Sequence, residues 1–134
     1  MKENSLNRNL ILKNKNDITQ TLRNGTRFEN DLLRIIVLKK TEESNFKVAF
    51  LVSKKLGRKA VARNRIKRWM REIFRCNKAK FPKSHHIILT ATKRYDQINF
   101  KGIKQDLMEI ISSEKFNNYI HKTLPEAHFP NEKK

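Results

Sequence analysis

Apolar and polar positions alternate along this chain with a period that changes several times, and each change marks an element. A polar start with a brief apolar patch at Leu10-Ile11-Leu12 reads as a loosely held arm. Asp17-Ile18-Thr19-Gln20 then has the form of a capping box, predicting a short helix that begins at Asp17. Ile18 and Leu22 share one face of that helix, and Gly25 is placed as the left-handed residue that ends it. The run from Thr26 to Lys40 is rich in β-branched and apolar residues and is broken at Glu29-Asn30-Asp31 by a bend or bulge. It predicts a short strand followed by a longer one, Leu32 to Lys39. Thr41 to Asn45 is polar and reads as a hairpin connection into a third strand, Phe46 to Ser53. There Val48, Phe50 and Val52 face one way and Ala49 and Leu51 the other, so both faces are apolar and the strand is expected in the middle of a covered sheet. The Ile18/Leu22 helix is the nearest cover for the second face and is too small to fill it, which predicts a groove.

The strongest periodic signal follows. Ala62, Ile66, Trp69, Met70, Ile73 and Phe74 form one apolar stripe and predict a long helix from about Lys59 to Lys80. Pro82 ends it, and His85 to Thr92 reads as a fourth strand. Lys93 to Asn99 is a loop. A last helix from about Phe100 carries Ile103, Leu107, Ile110 and Ile111 on one face and weakens at Ser112-Ser113, with Phe116, Tyr119 and Ile120 extending it. The chain is therefore expected to hold one domain over residues 10–122, with a flexible arm over 1–9 and a disordered basic tail over 123–134.

Charge changes the picture from fold to partner. Lys and Arg number 31 against 13 Asp and Glu among 134 residues, a net charge of +18 that calls for a polyanion. No segment resembles a membrane span or a signal peptide, so a cytosolic protein that binds nucleic acid is expected rather than one at a membrane. The single cysteine, Cys76, excludes an intrachain disulfide and is read as a packing residue or bystander. His85 and His86 are adjacent on a strand and point to opposite faces, which argues against a shared metal.

The charge is concentrated. Residues 53–75 contain ten Lys or Arg and one acidic residue, Glu72, which is half of the whole net charge. Arg63, Asn64, Lys67, Arg68, Arg71 and Arg75 fall in one arc opposite the apolar stripe. Solvated helix faces usually alternate sign at four-residue spacing, whereas like charges recur here at 63/67 and 67/71. Lys54, Lys55, Arg58 and Lys59 crowd the start of the helix, the wrong sign for its positive end, and Gly57 leaves amides exposed. Bare amides among cations make a phosphate site.

The string Ser53-Lys54-Lys55-Leu56-Gly57, then Ala60-Val61, then Arg63-Asn64-Arg65-Ile66-Lys67-Arg68 and Arg71-Glu72 resembles the signature of the bacterial ribonuclease P protein family, and the order of elements agrees over about residues 10 to 122. The resemblance implies an α/β two-layer sandwich of order αβββαβα, with a four-stranded sheet and an unusual left-handed β-α-β crossover. It implies an RNA-binding subunit that assists endonucleolytic removal of the 5′ leader of precursor tRNA. Catalysis would lie in a magnesium-dependent RNA, with no catalytic residue, cofactor or metal on this chain. By motif position Arg63, Asn64, Arg65, Lys67, Arg68 and Arg71 would dock on the catalytic RNA, joined by Lys54, Lys55, Arg58, Lys59 and Arg75. The leader would lie in a cleft lined by Ile18, Leu22, Phe28, Ile36, Ala49 and Leu51. The family commonly has aromatic rings in that cleft, and the aliphatic Ile18, Leu22 and Ile36 leave Phe28 as the nearest ring, unless Ile18 and Leu22 simply close the core. The implied partners are the catalytic RNA and precursor tRNA, bound by one monomer in a one-to-one ribonucleoprotein, with no DNA and no membrane.

Other classes fit less well. A structural RNA-binding protein of ribosomal type would share the charge but not the ordered Arg-Asn-Arg string. A stand-alone nuclease needs converging carboxylates or a histidine pair, and Asp17, Glu72, Asp96 and Asp106 read as structural. A DNA-binding regulator would show a helix-turn-helix pattern or a dimer element, and neither is visible.

Overall fold

The computed structural model describes Leu6, residues 8–56 and residues 59–123. The positions expected to form the tail therefore fall outside the described residues except Thr123, as do Gly57 and Arg58. In chain order the elements are α1 (Lys15–Asn24), β1 (Thr26–Glu29), β2 (Leu33–Lys39), β3 (Lys47–Leu51), α2 (Ala60–Cys76), β4 (His85–Ala91), α3 (Phe100–Ser112) and α4 (Glu114–Thr123). This is the expected αβββαβα order, with the last helix divided at Ser113. The Ser113 hydroxyl accepts from the Phe116 amide and restarts the helix.

The sheet order corrects the sequence reading. The strands run β1-β2-β4-β3, with β4 antiparallel to β2 and parallel to β3. β3 is thus an edge strand, and Thr41 to Asn45 is no hairpin but a link past the start of β4. The Lys40 amide bonds the Ser84 carbonyl at 2.7 Å and the Ser84 hydroxyl bonds the Glu43 carbonyl at 2.5 Å, with Ser84 at a left-handed φ of 61°. The physical reason is burial. β4 carries no Lys, Arg, Asp or Glu and is covered on both faces, so it takes the inner place, whereas β3 begins at Lys47. The free edge of β3 is partly covered by the arm, since Ile11 bridges Val48 and the Leu12 amide bonds the Val48 carbonyl at 2.8 Å. The arm is ordered there, with a 3-10 turn at Arg8–Leu10 and with Leu6 and Leu10 packed on the core.

The sheet separates two cores. On one face Leu33, Ile35, Val37, Val48, Ile87 and Leu89 meet Ile66, Met70, Ile73 and Phe74 of α2 and Ile103, Leu107 and Ile110 of α3. Each such side chain contributes about 1.5–3 kcal/mol on full burial. On the other face Leu12, Ile36, Ala49 and Ile88 form a smaller core closed by Ile18, Leu22 and Leu51. The N-cap of α1 is Asn14, whose side chain accepts from the Asn16 and Asp17 amides, so the helix starts earlier than the capping box suggested and Asp17 lies inside it. Gly25 ends it in extended backbone at φ −75°, not in the left-handed region. Its lack of a side chain serves close approach instead, because a Cβ would stand 2.6 Å from Ile36 Cγ2 and 2.9 Å from the Val37 carbonyl.

Asp106 on α3 is likewise structural, since its carboxylate accepts from the Leu32 amide at 2.5 Å and fastens α3 to the β1–β2 turn. His85 and His86 do face opposite sides: His86 Nε2 meets Glu43 at 3.0 Å, while His85 lies in the larger core. His85 Nδ1 donates to the Lys83 carbonyl at 2.9 Å, which fixes the neutral tautomer and lets Nε2 accept from the Tyr119 hydroxyl at 2.9 Å.

Ile36 is 1% exposed beneath Gly25 and the end of α1. Ile36→Phe should therefore overpack the site and cost about 1–3 kcal/mol, read as a lower melting temperature; an unchanged melting temperature would place the side chain in open space. Burial pushes the His85 imidazole below its ordinary value of 6.5. The unfolded chain then takes up this proton first as pH falls, so the stability that depends on neutral His85 is present above about pH 6.5 and is lost progressively below it. Urea midpoints measured at falling pH should drop over that window, and the drop should shrink in His85→Gln.

Candidate nucleic-acid interface

α2 begins at Ala60 behind Lys59, which offers no side-chain cap, and no acidic residue stands in its first turn. Ser53 does not cap it either, because its hydroxyl accepts from the Lys55 amide at 3.1 Å and closes the separate 3-10 turn at Lys54–Leu56. Lys54, Lys55 and Lys59 are exposed around this uncapped start.

From there the helix turns its apolar stripe onto the sheet and leaves Asn64, Lys67, Arg68 and Arg71 along the rim beside β3. These four residues form one wall of a cleft of about 450 Å³, and the facing surfaces are Ile11, Leu12, Ile18, Ala49, Phe50 and Leu51. The basic arc and the groove, read from the sequence as separate features, are thus one concavity. One wall carries positive charge and hydrogen-bond donors; the other is apolar. Phe50 is the aromatic residue among the lining side chains. The Arg71 guanidinium sits 5.5 Å from its ring centroid and Phe74 packs on it edge-on at 5.9 Å. The cation–π contact, worth about 0.5–1 kcal/mol at an exposed site, holds the Arg71 charge at the cleft rim.

The expected cleft residues divide. Ile18, Ala49 and Leu51 line it. Leu22 packs in the smaller core, and Ile36 lies buried there rather than in the cleft. Phe28 is on the opposite face of the sheet, 3% exposed, with its ring 5.1 Å from Phe116 and 5.6 Å from Tyr119. The register explains the error: Phe28 pairs with Ile35, and directly opposed residues share a face, whereas Ile36 is opposite Arg27. Of the other cations, Arg63 is half-buried and Arg65 is exposed on the flank of α2 away from the cleft. Arg75 is held by Glu72 at 2.7 Å. Sequence reasoning missed Ile11, Leu12 and Phe50. The first two gave a signal in the apolar patch of the arm; Phe50 was assigned to the larger core by alternation, which it touches while its ring also reaches the cleft.

Among the described residues no Asp or Glu lines the cleft. Among the described residues no three of His, Cys, Asp and Glu come together as metal ligands, and no helix is long and apolar enough to cross a membrane. The cleft can therefore hold an extended polyanion by its phosphates and an apolar or planar group against its far wall.

Comparison with known proteins gives the family and fold of the chain. Residues 6–114 match the family described as Ribonuclease P. The ribonuclease P protein component of Alkaliphilus metalliredigens is 34% identical over 104 residues, covering 78% of this chain and 92% of the relative. That of Listeria innocua is 32% identical over 100 residues, covering 75% and 83%. The solved RNase P protein of Staphylococcus aureus superposes with a TM-score of 0.68 at 27% identity, covering 77% of this chain and 93% of that one. The Thermotoga maritima RNase P protein does so with a TM-score of 0.65 at 27% identity, covering 78% and 97%.

If the rim of α2 contacts phosphates, binding to RNA should weaken steeply with salt, log K falling by about 0.7–0.9 per log unit of salt for each phosphate neutralised. Arg68→Ala should reduce that slope by about one such step. A slope near zero for the intact chain would contradict the interface, and an unchanged slope in the variant would remove Arg68 from it.

Proposed function

Because the chain belongs to the ribonuclease P protein family and is a protein component of that ribonucleoprotein, we propose that it docks α2 on the catalytic RNA and holds the single-stranded 5′ leader of precursor tRNA in the cleft. The observation that carries this reading is the composition of the cleft: Asn64, Lys67, Arg68 and Arg71 face an apolar wall that contains the Phe50 ring, with no carboxylate among the described lining residues. An extended single strand fits both walls, its phosphates toward α2 and its bases toward Phe50, Ala49 and Leu51. A cleft whose described lining is basic and apolar is suited to holding a strand, and in this reading hydrolysis is assigned to the RNA subunit and the magnesium it requires. The lining residues offer no oxygen-rich set for a resident magnesium of their own. Its part is to bring substrate and catalytic RNA together, as one monomer per RNA, in the cytoplasm, and to screen the repulsion between the two RNAs with its charge of +18.

Leader recognition by stacking is weighted toward Phe50, since Ile18, Ala49 and Leu51 offer no π-face. Backbone electrostatics dominate the remainder, which predicts weak dependence on leader sequence away from the nucleotide over Phe50.

Reconstitution tests the reading. The purified chain alone should leave precursor tRNA uncut, and with a ribonuclease P RNA it should promote cleavage at the mature 5′ end and lower the magnesium requirement. In that complex Phe50→Leu should weaken binding of precursor tRNA carrying a leader of several nucleotides by up to about 1–3 kcal/mol, the worth of one stacked base, and leave leaderless tRNA unaffected. Cleavage by the protein alone, abolished by one Asp or Glu substitution, would overturn the proposal; equal loss with and without leader would remove Phe50 from the leader site.

A further inference from the structure

α2 has a second flank that the cleft does not use. Trp69 lies there at the seam with α3, half-buried, and its ring meets that of Phe100 edge-on, with centroids 6.5 Å apart and planes at 78°. Phe100 is 38% exposed. The start of α3 is secured without the Phe100 ring: Asn99 caps the helix by accepting from the Gly102 amide at 2.7 Å, and Ile103 and Leu107 supply the buried stripe. Two perpendicular rings make a corner in which a planar group can stack on one face while its edge meets the other.

The surroundings of this corner are cationic. Arg65 stands one turn before Trp69 on α2, and Lys101 and Lys104 accompany Phe100 on α3; all are exposed. None of them forms an ion pair among the described residues, while the nearby acids are engaged, Glu72 by Arg75 at 2.7 Å and Asp96 by Arg94 at 3.5 Å. A second copy of this chain would bring Arg65, Lys101 and Lys104 against like charges, so an apolar corner ringed by cations is matched by a partner that is planar and anionic. An unpaired nucleotide has both properties.

We propose that Trp69 and Phe100 form a stacking platform for an unpaired nucleobase of the ribonuclease P RNA, with Arg65, Lys101 and Lys104 on the phosphates that flank it. The proposal rests on the RNA-binding function proposed above and adds a second contact to it. The RNA subunit, not the precursor tRNA, is the source, because the platform lies on the flank of α2 opposite Lys67 and Arg71 and a strand seated in the cleft does not reach it. The RNA subunit would then grip α2 from this side while its other flank faces the substrate.

Trp69 is the only tryptophan in the chain, so its emission reports on this corner alone. The full-length protein would be titrated at low salt with ribonuclease P RNA and, separately, with a leader oligonucleotide and with leaderless tRNA, and cleavage of precursor tRNA in the same preparation would show that the active complex has formed. Quenching by the RNA subunit and not by the leader oligonucleotide is expected. Phe100→Ala should bind the RNA subunit roughly five- to a hundredfold more weakly, the range for loss of one stacked base. Phe100→Tyr should restore binding, and both variants should keep the melting temperature and the leader-dependent gain in affinity of the assembled enzyme. An active complex with unquenched Trp69 and wild-type affinity in Phe100→Ala would overturn the platform. So would quenching by the leader oligonucleotide alone, or an emission change with protein concentration in the absence of RNA, which would mark a contact between copies. Loss of leader-dependent affinity with quenching intact would instead sink the cleft reading and leave the platform standing.

Discussion

The parallel pairing of β3 with β4 is the constraint on which the rest of the molecule depends. Neighbouring parallel strands cannot be joined by a tight turn, so the chain between Leu51 and His85 must return along the sheet before it can pair again. That return is α2. Its apolar stripe fills the larger core, and the same crossing fixes its basic rim alongside β3, where the sheet's opposite face is only partly covered by α1. The cleft is what this geometry leaves open. Had β3 paired with β2 as a hairpin, the basic segment would carry the same charge with no apolar wall to face it.

The charge distribution follows the same division. Several acids fasten elements together rather than line the cleft: Asp106 on the Leu32 amide, Glu43 on His86 and Glu29 on Arg34 at 2.9 Å, while Glu72 pairs with Arg75 within α2. Gln105 and Asn30 hydrogen-bond Glu109 and, as Arg34 does for Glu29, hold the carboxyl below its usual range. Repulsion among Lys67, Arg68 and Arg71 is a standing cost to the isolated protein, offset by the burial of Ile66, Met70, Ile73 and Phe74 on the other side of the helix. An RNA partner removes the cost.

Much of this was legible in the sequence, and the failures have physical reasons. The stripe and arc of α2, the order of elements and the split at Ser112-Ser113 all rest on local periodicity, which survives folding. Sheet order does not, because the choice of β4 over β3 as partner for β2 is made by total burial across distant segments. A short polar link looks the same whether it turns back or passes over a strand. Alternation gives the parity of Phe28 and Ile36 within each strand but not the register between the strands, so Phe28, which pairs with Ile35, lies on the opposite face, while Ile36 keeps the expected face and is buried beneath α1. Asn14 and Asp17 are each competent caps, and packing of Thr21 and Ile18 onto the sheet decides between them. Phe50 was misjudged because an edge strand lets one long side chain serve two surfaces.

The central claim is that the apolar wall from α1 and the basic rim of α2 hold the same strand of RNA. Site-directed photocrosslinking tests it most directly, with a probe attached at Ile18→Cys or Arg68→Cys in a Cys76→Ser background and the protein assembled with ribonuclease P RNA and precursor tRNA. Both positions should mark leader nucleotides within a few residues of each other. A chain in which position 68 marks only the RNA subunit and position 18 marks no leader at all would contradict a shared cleft.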